Sequence, residues 1–516
     1  MSLLTFSIDL KKNNIFENYT LLEILLKNGI LTEKSKIDDK SLIEYIITNK
    51  RNYTLETLIK QGFDVNTDCD GRSPLYISVW KSNFVACKLL IENGANVNYQ
   101  RETNGTTSLY KAVDDNYTKV IPLLLQNKAD PNICSKDGAS PILMAVQNNN
   151  QKSIRMLLGG GVDLNVVPSL GITPLYMACQ YDFYETVRLL LDNKADPNID
   201  LKDGYSLLNV TVSENNYRIL KLLINSGIDL AKGEDDGASL FAGIENFSDA
   251  SIKILIENGY DLNVRDNCRL TPLHCAVKSG NYGLVMLLLK GGADVNCVDD
   301  NNLSPLYVCA LTTSGLDYQI MESLLEAKAD PNLTIKNSVT SITNPMFSQH
   351  FSSMTKIINN KIDYDIVEGL VTGSTALYIA STTGNLKMVK MLLSVGADPN
   401  IRLSNGKSAL FASVYINNYK IADLLLKHGA DPDYPPNMIR VAGDKNYTKC
   451  VKLLRDAKDA KLNKKMEESC GETCPICLEE IEDKKTLFMT KCYHVFHIEC
   501  WKKCKKDICP ICRQKV

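Results

Sequence analysis

The sequence predicts a mostly α-helical fold: a long solenoid of two-helix repeats, followed by a small C-terminal domain of a different kind. Two observations carry this. A five-residue phrase recurs along the chain, centred on Asp64, Asn96, Asp130, Asp163, Asp196, Asp229, Asp261, Asp294, Asp330, Asp363, Asp398 and Asp431. Its spacings run from 32 to 36 residues and are mostly 33, a period that marks stacked supersecondary units. The second observation is that eight of the 17 cysteines and two of the five histidines lie from residue 470 onward.

Each repeat can be read locally. About ten residues past the acid stands a helix start such as Thr271-Pro272-Leu273-His274, Thr173-Pro174-Leu175-Tyr176 or Ser304-Pro305-Leu306-Tyr307. The hydroxyl caps free amides, and Pro fits the first helical position, where a missing N–H costs nothing. A second helix follows with an apolar run, as in Val285-Met286-Leu287-Leu288-Leu289, and ends near a glycine such as Gly94, Gly161, Gly292 or Gly396. Glycine suits the left-handed conformation at a helix stop. Between units, Asp70-Gly71, Asp137-Gly138, Asp203-Gly204 and Asp236-Gly237 supply turn chemistry.

Composition narrows the class. With 516 residues, 44% apolar and 23% charged, and a net charge of −2, the chain suits neither a small disulfide scaffold nor a disordered or polybasic protein. Residues 1–20 lack the pattern of a secretory signal, and no stretch approaches the ~18 apolar residues of a membrane span. The expectation is a soluble protein of the cytoplasm, with the nucleus also open, and with no membrane and no nucleic acid among its partners. The nine cysteines before residue 470 are scattered, as for inert thiols in a reducing compartment.

Two short helices and a turn every 33 residues, with Thr-Pro-Leu-His and Gly-Ala-Asp-Val-Asn phrases, closely resemble the ankyrin repeat. The resemblance covers residues 1–437, about thirteen units, with 338–372 degenerate: Thr340-Ser341-Ile342-Thr343 stands at its helix start and Asp363 near its end. Of the histidines of the family's helix-start phrase only His274 is kept; Tyr76, Tyr110, Tyr176, Tyr307 and Tyr378 replace it elsewhere. That leaves the histidine's inter-repeat hydrogen bond in question there, with aromatic packing as the expected substitute. The resemblance implies a concave protein-binding face, its specificity in variable tips such as Arg101-Glu102-Thr103-Asn104. Residues 438–469 read as a closing helix and a charged linker that sets how far the two modules swing.

The tail, 470–516, orders its donors as Cys474-x-x-Cys477, Cys492-x-His494, His497-x-x-Cys500 and Cys509-x-x-Cys512. Cys-x-x-Cys turns place two sulfurs on one ion, and four pairs make two tetrahedral zinc sites. The order closely resembles a RING finger with two central histidines. That resemblance implies a cross-brace: Cys474, Cys477, His497 and Cys500 on one Zn²⁺, and Cys492, His494, Cys509 and Cys512 on the other. It also implies a docking surface for a ubiquitin-conjugating enzyme at Ile476 and Pro510, and a linchpin at Arg513 that bridges that enzyme and its ubiquitin. The family's groove Trp stands four residues after the sixth ligand. Cys504 occupies that place here, and Trp501 stands one residue after Cys500, so either Trp501 covers the groove from a shifted position or the groove is weakened. Cys470 and Cys504 remain as spare thiols.

The leading expectation is a RING-type ubiquitin-protein ligase. The array holds a substrate protein, the RING holds a ubiquitin-charged conjugating enzyme, no covalent intermediate forms on this chain, and the protein acts as a monomer. The alternative is a non-catalytic ankyrin scaffold whose RING is only a zinc-stabilised interaction module.

Overall fold

The computed structural model describes residues 36–37, 40–165, 167, 171–199, 201, 206–230, 237–300, 302–312, 317–336, 372–469, 472–481, 483, 486–490, 494–504 and 509–511. The chain divides into two compact units, Met1–Tyr260 and Asp261–Val516.

The first unit is a stack of helix pairs, from Leu42–Thr48 with Asn52–Lys60 to Ala238–Glu245 with Asp249–Glu257. Most first helices are seven residues long, and most second helices nine. Isolated helices below about 12–15 residues are marginal in water, so packing and caps hold them. Ser73, Thr107, Ser140 and Thr173 each accept from the backbone N–H three residues on. Leu75, Leu109, Ile121, Leu157 and Leu190 are wholly buried along one continuous core, each worth roughly 1.5–3 kcal/mol. Gly94 and Gly161 adopt φ +86° and +82° after their helices, with open space around each Cβ position. Conformation rather than crowding selects glycine there.

The recurring acid has two jobs. Its own side chain accepts from the residue two positions on, as Asp64 Oδ1 does from Asn66 N–H at 2.9 Å. That Asn then reaches the next repeat: Asn66 Oδ1 accepts from Asn96 N–H at 2.7 Å, Asn98 from Asp130, Asn132 from Asp163, Asn165 from Asp196 and Asn198 from Asp229. The result is a ladder running from turn to turn.

The second unit carries the same ladder from Asn263 to Asp294 and from Asn296 to Asp330. Its next rung joins Asn332 to Asp398, 66 residues apart. Around it Ile335 N–H donates to Ser374 O, Gly373 N–H to Ile335 O, and Tyr307 OH to Ser374 Oγ. Gly373 sits at φ +96°, where a Cβ would lie 2.7 Å from the Arg402 carbonyl oxygen. The degenerate repeat expected at 338–372 falls, except for Thr372, outside the described residues. Among the described ones, the flanking repeats touch each other directly, with no layer between them.

The tyrosines keep more of the histidine's work than packing alone. Thr106 Oγ1 meets Tyr76 OH at 3.4 Å, and Tyr307 OH reaches Ser374 at 3.1 Å. Both bonds cross to the following repeat, a capacity that the phenol oxygen gives and the sequence expectation left aside.

The second unit continues through Met438–Asp444 into a 21-residue helix, Thr448–Glu468. Beyond it lies a small two-stranded hairpin, Leu487–Met489 against Val495–His497, and a helix, Ile498–Cys504. Among the described residues no helix is long and apolar enough to cross a membrane.

His274 gives the fold a pH dependence. Its Nδ1 accepts from Thr271 N–H at 3.2 Å, which leaves the proton on Nε2 for the Leu303 carbonyl at 2.9 Å. Burial lowers its pKa to about 4, against the opposing pull of the Leu303 carbonyl. Between about 4 and the usual 6.5 the unfolded chain binds a proton that the folded chain does not, so stability falls as pH drops through that window, by about 3 kcal/mol in all. Protection of the Leu303 amide against hydrogen exchange is therefore expected to fall from pH 7 to pH 4.5 in wild type. It should fall clearly less in His274→Asn, which bonds without titrating.

Candidate metal centre

The C-terminal module is built around a turn. Leu478 N–H donates to Cys474 O and Cys474 N–H to Glu479 O, both at 2.8 Å. Leu478 takes φ +63°. This fold-back presents the Cys474 and Cys477 sulfurs on one side. The hairpin pairs Phe488 with Phe496 and ends at His497. The helix that starts at Ile498 then brings Cys500 one turn further, onto the same point. The ligand atoms of Cys474, Cys477, His497 and Cys500 all lie within 4.8 Å of one another. Cys477 Sγ is 3.2 Å from His497 Nδ1, and His497 N–H donates to Cys474 Sγ at 3.4 Å.

Four donors on one tetrahedral zinc stand roughly 3.3–3.8 Å apart, given bond lengths of about 2.0–2.3 Å. The set is gathered closely enough for one ion to hold all four. Its protonation chemistry also suits a cation. Burial pushes the Cys474 thiol up, but N–H groups of Cys477, His497 and Ile476 and the His497 side chain outweigh it and bring it down to about 6. Cys500 goes the other way, to about 11, through desolvation and then the Cys477 and Cys474 thiols beside it. Neighbouring thiolates oppose each other unless a cation stands between them. Three thiolates and one imidazole make a closed set, which serves a structural zinc and leaves no position for a reacting group.

Half of the second expected set is also assembled: Cys509 Sγ lies 3.4 Å from His494 Nδ1. Thr490 holds His494, accepting from its N–H through Oγ1 and donating N–H to its carbonyl. Cys492, Cys512 and Arg513 lie outside the described residues, as does Cys470, and Cys504 is described only as the end of its helix.

Ile476 and Pro510 are at the surface, Ile476 36% exposed. Trp501 packs against the hairpin. Its ring stacks on Phe488 at 4.7 Å between centroids and packs against Phe496 at 5.3 Å, beside the small buried core of Ile481, Leu487, Val495 and Phe496. A large ring one residue after Cys500 is turned toward the hairpin, so its described contacts are those of packing. Sequence reasoning missed two surface residues. Leu478 is 78% exposed and Ile511 48%, and both adjoin the positions named for docking. The available signal was apolar side chains inside metal-ligand turns too tight to bury them.

The Thr448–Glu468 helix leads into this module from the repeats. Cys450 and Leu454 are buried near its start, and Met466 packs against the module's core at its end. Between them Lys461 bonds both Asp431 and Asp433, and Lys458 pairs with Asp433 at 3.3 Å. Asp431 is pulled below its ordinary value; burial alone would raise it, and the Lys461 ammonium overcomes that. Lys458 and Lys461, in the stretch that reads as a charged linker, are thus held against the last repeat.

Comparison with known proteins agrees with this architecture. Ankyrin repeats match over residues 13–101, 99–168, 142–233, 240–335 and 346–436, and a RING-like zinc finger matches over 473–501. The chain belongs to the ankyrin-repeat family and carries a C-terminal RING-like zinc finger. It is similar to an ankyrin repeat protein of fowlpox virus (strain NVSL), 34% identical over 129 residues, 24% of this chain and 37% of the relative. It also resembles an E3 ubiquitin-protein ligase of Arabidopsis thaliana, 39% identical over 64 residues, 12% of this chain and 40% of that protein. A third relative is the BRCA1-associated RING domain protein 1 of Caenorhabditis elegans, 34% identical over 87 residues, 17% of this chain and 12% of that protein. The chain thus spans well under half the length of each.

So small a core cannot hold the module by itself, and a structural zinc supplies on the order of 10–16 kcal/mol. Chelation at neutral pH is expected to abolish exchange protection at Thr490 and Ile481, whose amides bond within the module, while protection at Leu303 persists. Protection that survived metal removal would contradict a metal-dependent fold.

Proposed function

We propose that this protein is a RING-type ubiquitin-protein ligase that holds two Zn²⁺, the second on Cys492, His494, Cys509 and Cys512. In this reading the array recruits a substrate protein. The RING binds a ubiquitin-conjugating enzyme charged with ubiquitin, and ubiquitin passes to a substrate lysine. The observation that carries it is the exposed Ile476 within the turn between two donors of a closed four-donor cluster. A purely structural knuckle has no need of an apolar side chain in water at that place. Leu478, Pro510 and Ile511 extend the same exposed apolar character, and such surfaces rimmed by charge mark protein docking sites. The name of the Arabidopsis relative points the same way.

Chemistry on this chain is positional. Zinc supplies the folded shape of the module. Ile476 and Pro510 seat the conjugating enzyme, and Arg513 is assigned the linchpin contact with it and with ubiquitin. Arginine suits that role because its planar fork of donors bridges two acceptors at once. Restricting the ubiquitin thioester to one reactive pose and bringing a lysine to it converts a loose encounter into an oriented one. No residue here carries ubiquitin covalently. Thiolate ligands and scattered free cysteines suit a reducing compartment, the cytoplasm or nucleus.

Purified zinc-loaded protein, incubated with activating enzyme, ATP and a panel of conjugating enzymes, is expected to build ubiquitin chains. Ile476→Ala and Arg513→Ala should each lower the rate tenfold or more with zinc content unchanged, and Cys474→Ser should lose both. Full zinc loading with no chain formation by wild type across the panel would favour the non-catalytic scaffold.

A further inference from the structure

In the first unit a pocket of about 230 Å³ opens between two neighbouring repeats. Its walls come from the helices Pro74–Trp80 and Ser108–Asp114 and from the turns that precede them, and they bring together Arg72, Tyr76, Trp80, Arg101, Tyr110 and Lys111. The volume is below the roughly 300–1,000 Å³ typical of small-molecule sites. It suits one or two side chains of a passing peptide rather than a cofactor.

The charges around it are unequal in their commitments. Arg72 is spent on Glu44, with two nitrogens at 3.4 and 3.2 Å from the two carboxylate oxygens. Lys111 is spent on Asp114 and Asp115 at 2.9 and 2.8 Å. Arg101 has no carboxylate within 4.0 Å among the described residues; its guanidinium lies 5.8 Å from the Tyr76 ring centroid. Its Nε is buried and without a hydrogen-bond partner, a donor left unsatisfied where desolvation is costly. Trp80 beside it is 40% exposed, with the Lys81 ammonium 3.5 Å from its ring centroid. An unspent arginine among a tryptophan and two tyrosines is the residue set that dominates binding energy at protein interfaces.

We propose that this pocket is the array's anchoring subsite for a partner protein, and that it takes an Asp or Glu side chain of an extended segment, flanked by an apolar or aromatic residue. The carboxylate accepts from the Arg101 guanidinium where it lines the pocket, and the neighbouring side chain covers Trp80 and Tyr110. Charge chooses among ligands. A phosphate or a nucleic-acid backbone calls for several free cations in a cluster, whereas the salt bridges leave Arg101 as the free guanidinium of this pocket. The inference rests on the ligase reading only in calling the bound partner its substrate; the pocket itself does not depend on the RING.

The test is selection of a displayed library of random twelve-residue peptides on the full-length chain. Selected peptides are then resynthesised for affinity measurement. Enriched sequences are expected to carry Asp or Glu next to an aliphatic or aromatic residue. Replacing that acid by its amide should weaken binding to wild type at least tenfold. Arg101→Gln should bind the acid and amide forms equally and weakly, and Lys81→Gln, outside the pocket's wall, should keep a clear preference for the acid. Chain formation by Lys81→Gln should equal wild type, and Ile476→Ala should bind the peptide normally, so the two readings fail separately. Enrichment without acids, no enrichment, or unchanged affinity in Arg101→Gln would overturn the proposal. So would Arg101-dependent displacement of the peptide by a single-stranded oligonucleotide.

Discussion

Everything in the repeats depends on one hydrogen bond made over and over: an asparagine side-chain oxygen accepting from the backbone N–H of the acid in the following repeat. It spaces the turns and aligns each short helix pair with the next, so that their leucines share one continuous core. Seven-residue helices have no stability of their own to spare. Their caps and their burial become available only once the rung has set the register. The same bond explains why a 66-residue gap between Asn332 and Asp398 is tolerated. The rung is indifferent to how much chain lies between its two ends.

The ladder also explains how it stops. At Asp431 the phrase reads Asp-Pro-Asp, with Asp433 where other repeats place asparagine. Asp431 still takes the rung from Asn400, but no repeat follows to receive another. The two carboxylates instead hold Lys461 and Lys458 of the long helix. Single exposed pairs contribute only ~0–1 kcal/mol; these share one network at half-buried positions and act on a helix already seated through Cys450 and Leu454. A helix of 21 residues spans roughly 31 Å, and this one ends with Met466 in contact with the zinc module. The geometry of the metal domain relative to the last repeats is therefore set by a continuous helix fixed at both ends. That matters for the proposed ligase function, in which orientation is the whole of the chemistry.

Much of this was legible in the residues. The 33-residue phrase, the Ser/Thr caps and the order of cysteines and histidines pointed to the repeats and to a metal-held tail, since each is a local pattern with a local physical cause. What escaped was long-range. Nothing local says that Asn rather than Asp carries the rung, or that a tyrosine's hydroxyl reaches the next repeat as His274 does. The direct contact of the repeats flanking 337–371 depends on which surfaces match, which spacing does not give. Trp501 was read by analogy of position, whereas Phe488 and Phe496 decide where its ring goes. Lys458 and Lys461 looked like solvated charges because their partners, Asp431 and Asp433, lie some 28 residues back in the chain.

The central claim is that the last repeats and the RING-like module are joined rigidly by the Thr448–Glu468 helix. Spin labels on unnatural amino acids at 420 in the last repeats and at 502 in the RING would report it by double electron–electron resonance. One narrow distance distribution in zinc-loaded wild type, broadened when Lys458 and Lys461 are both changed to Ala, is the predicted result. A broad distribution in wild type that those substitutions leave unchanged would contradict the account.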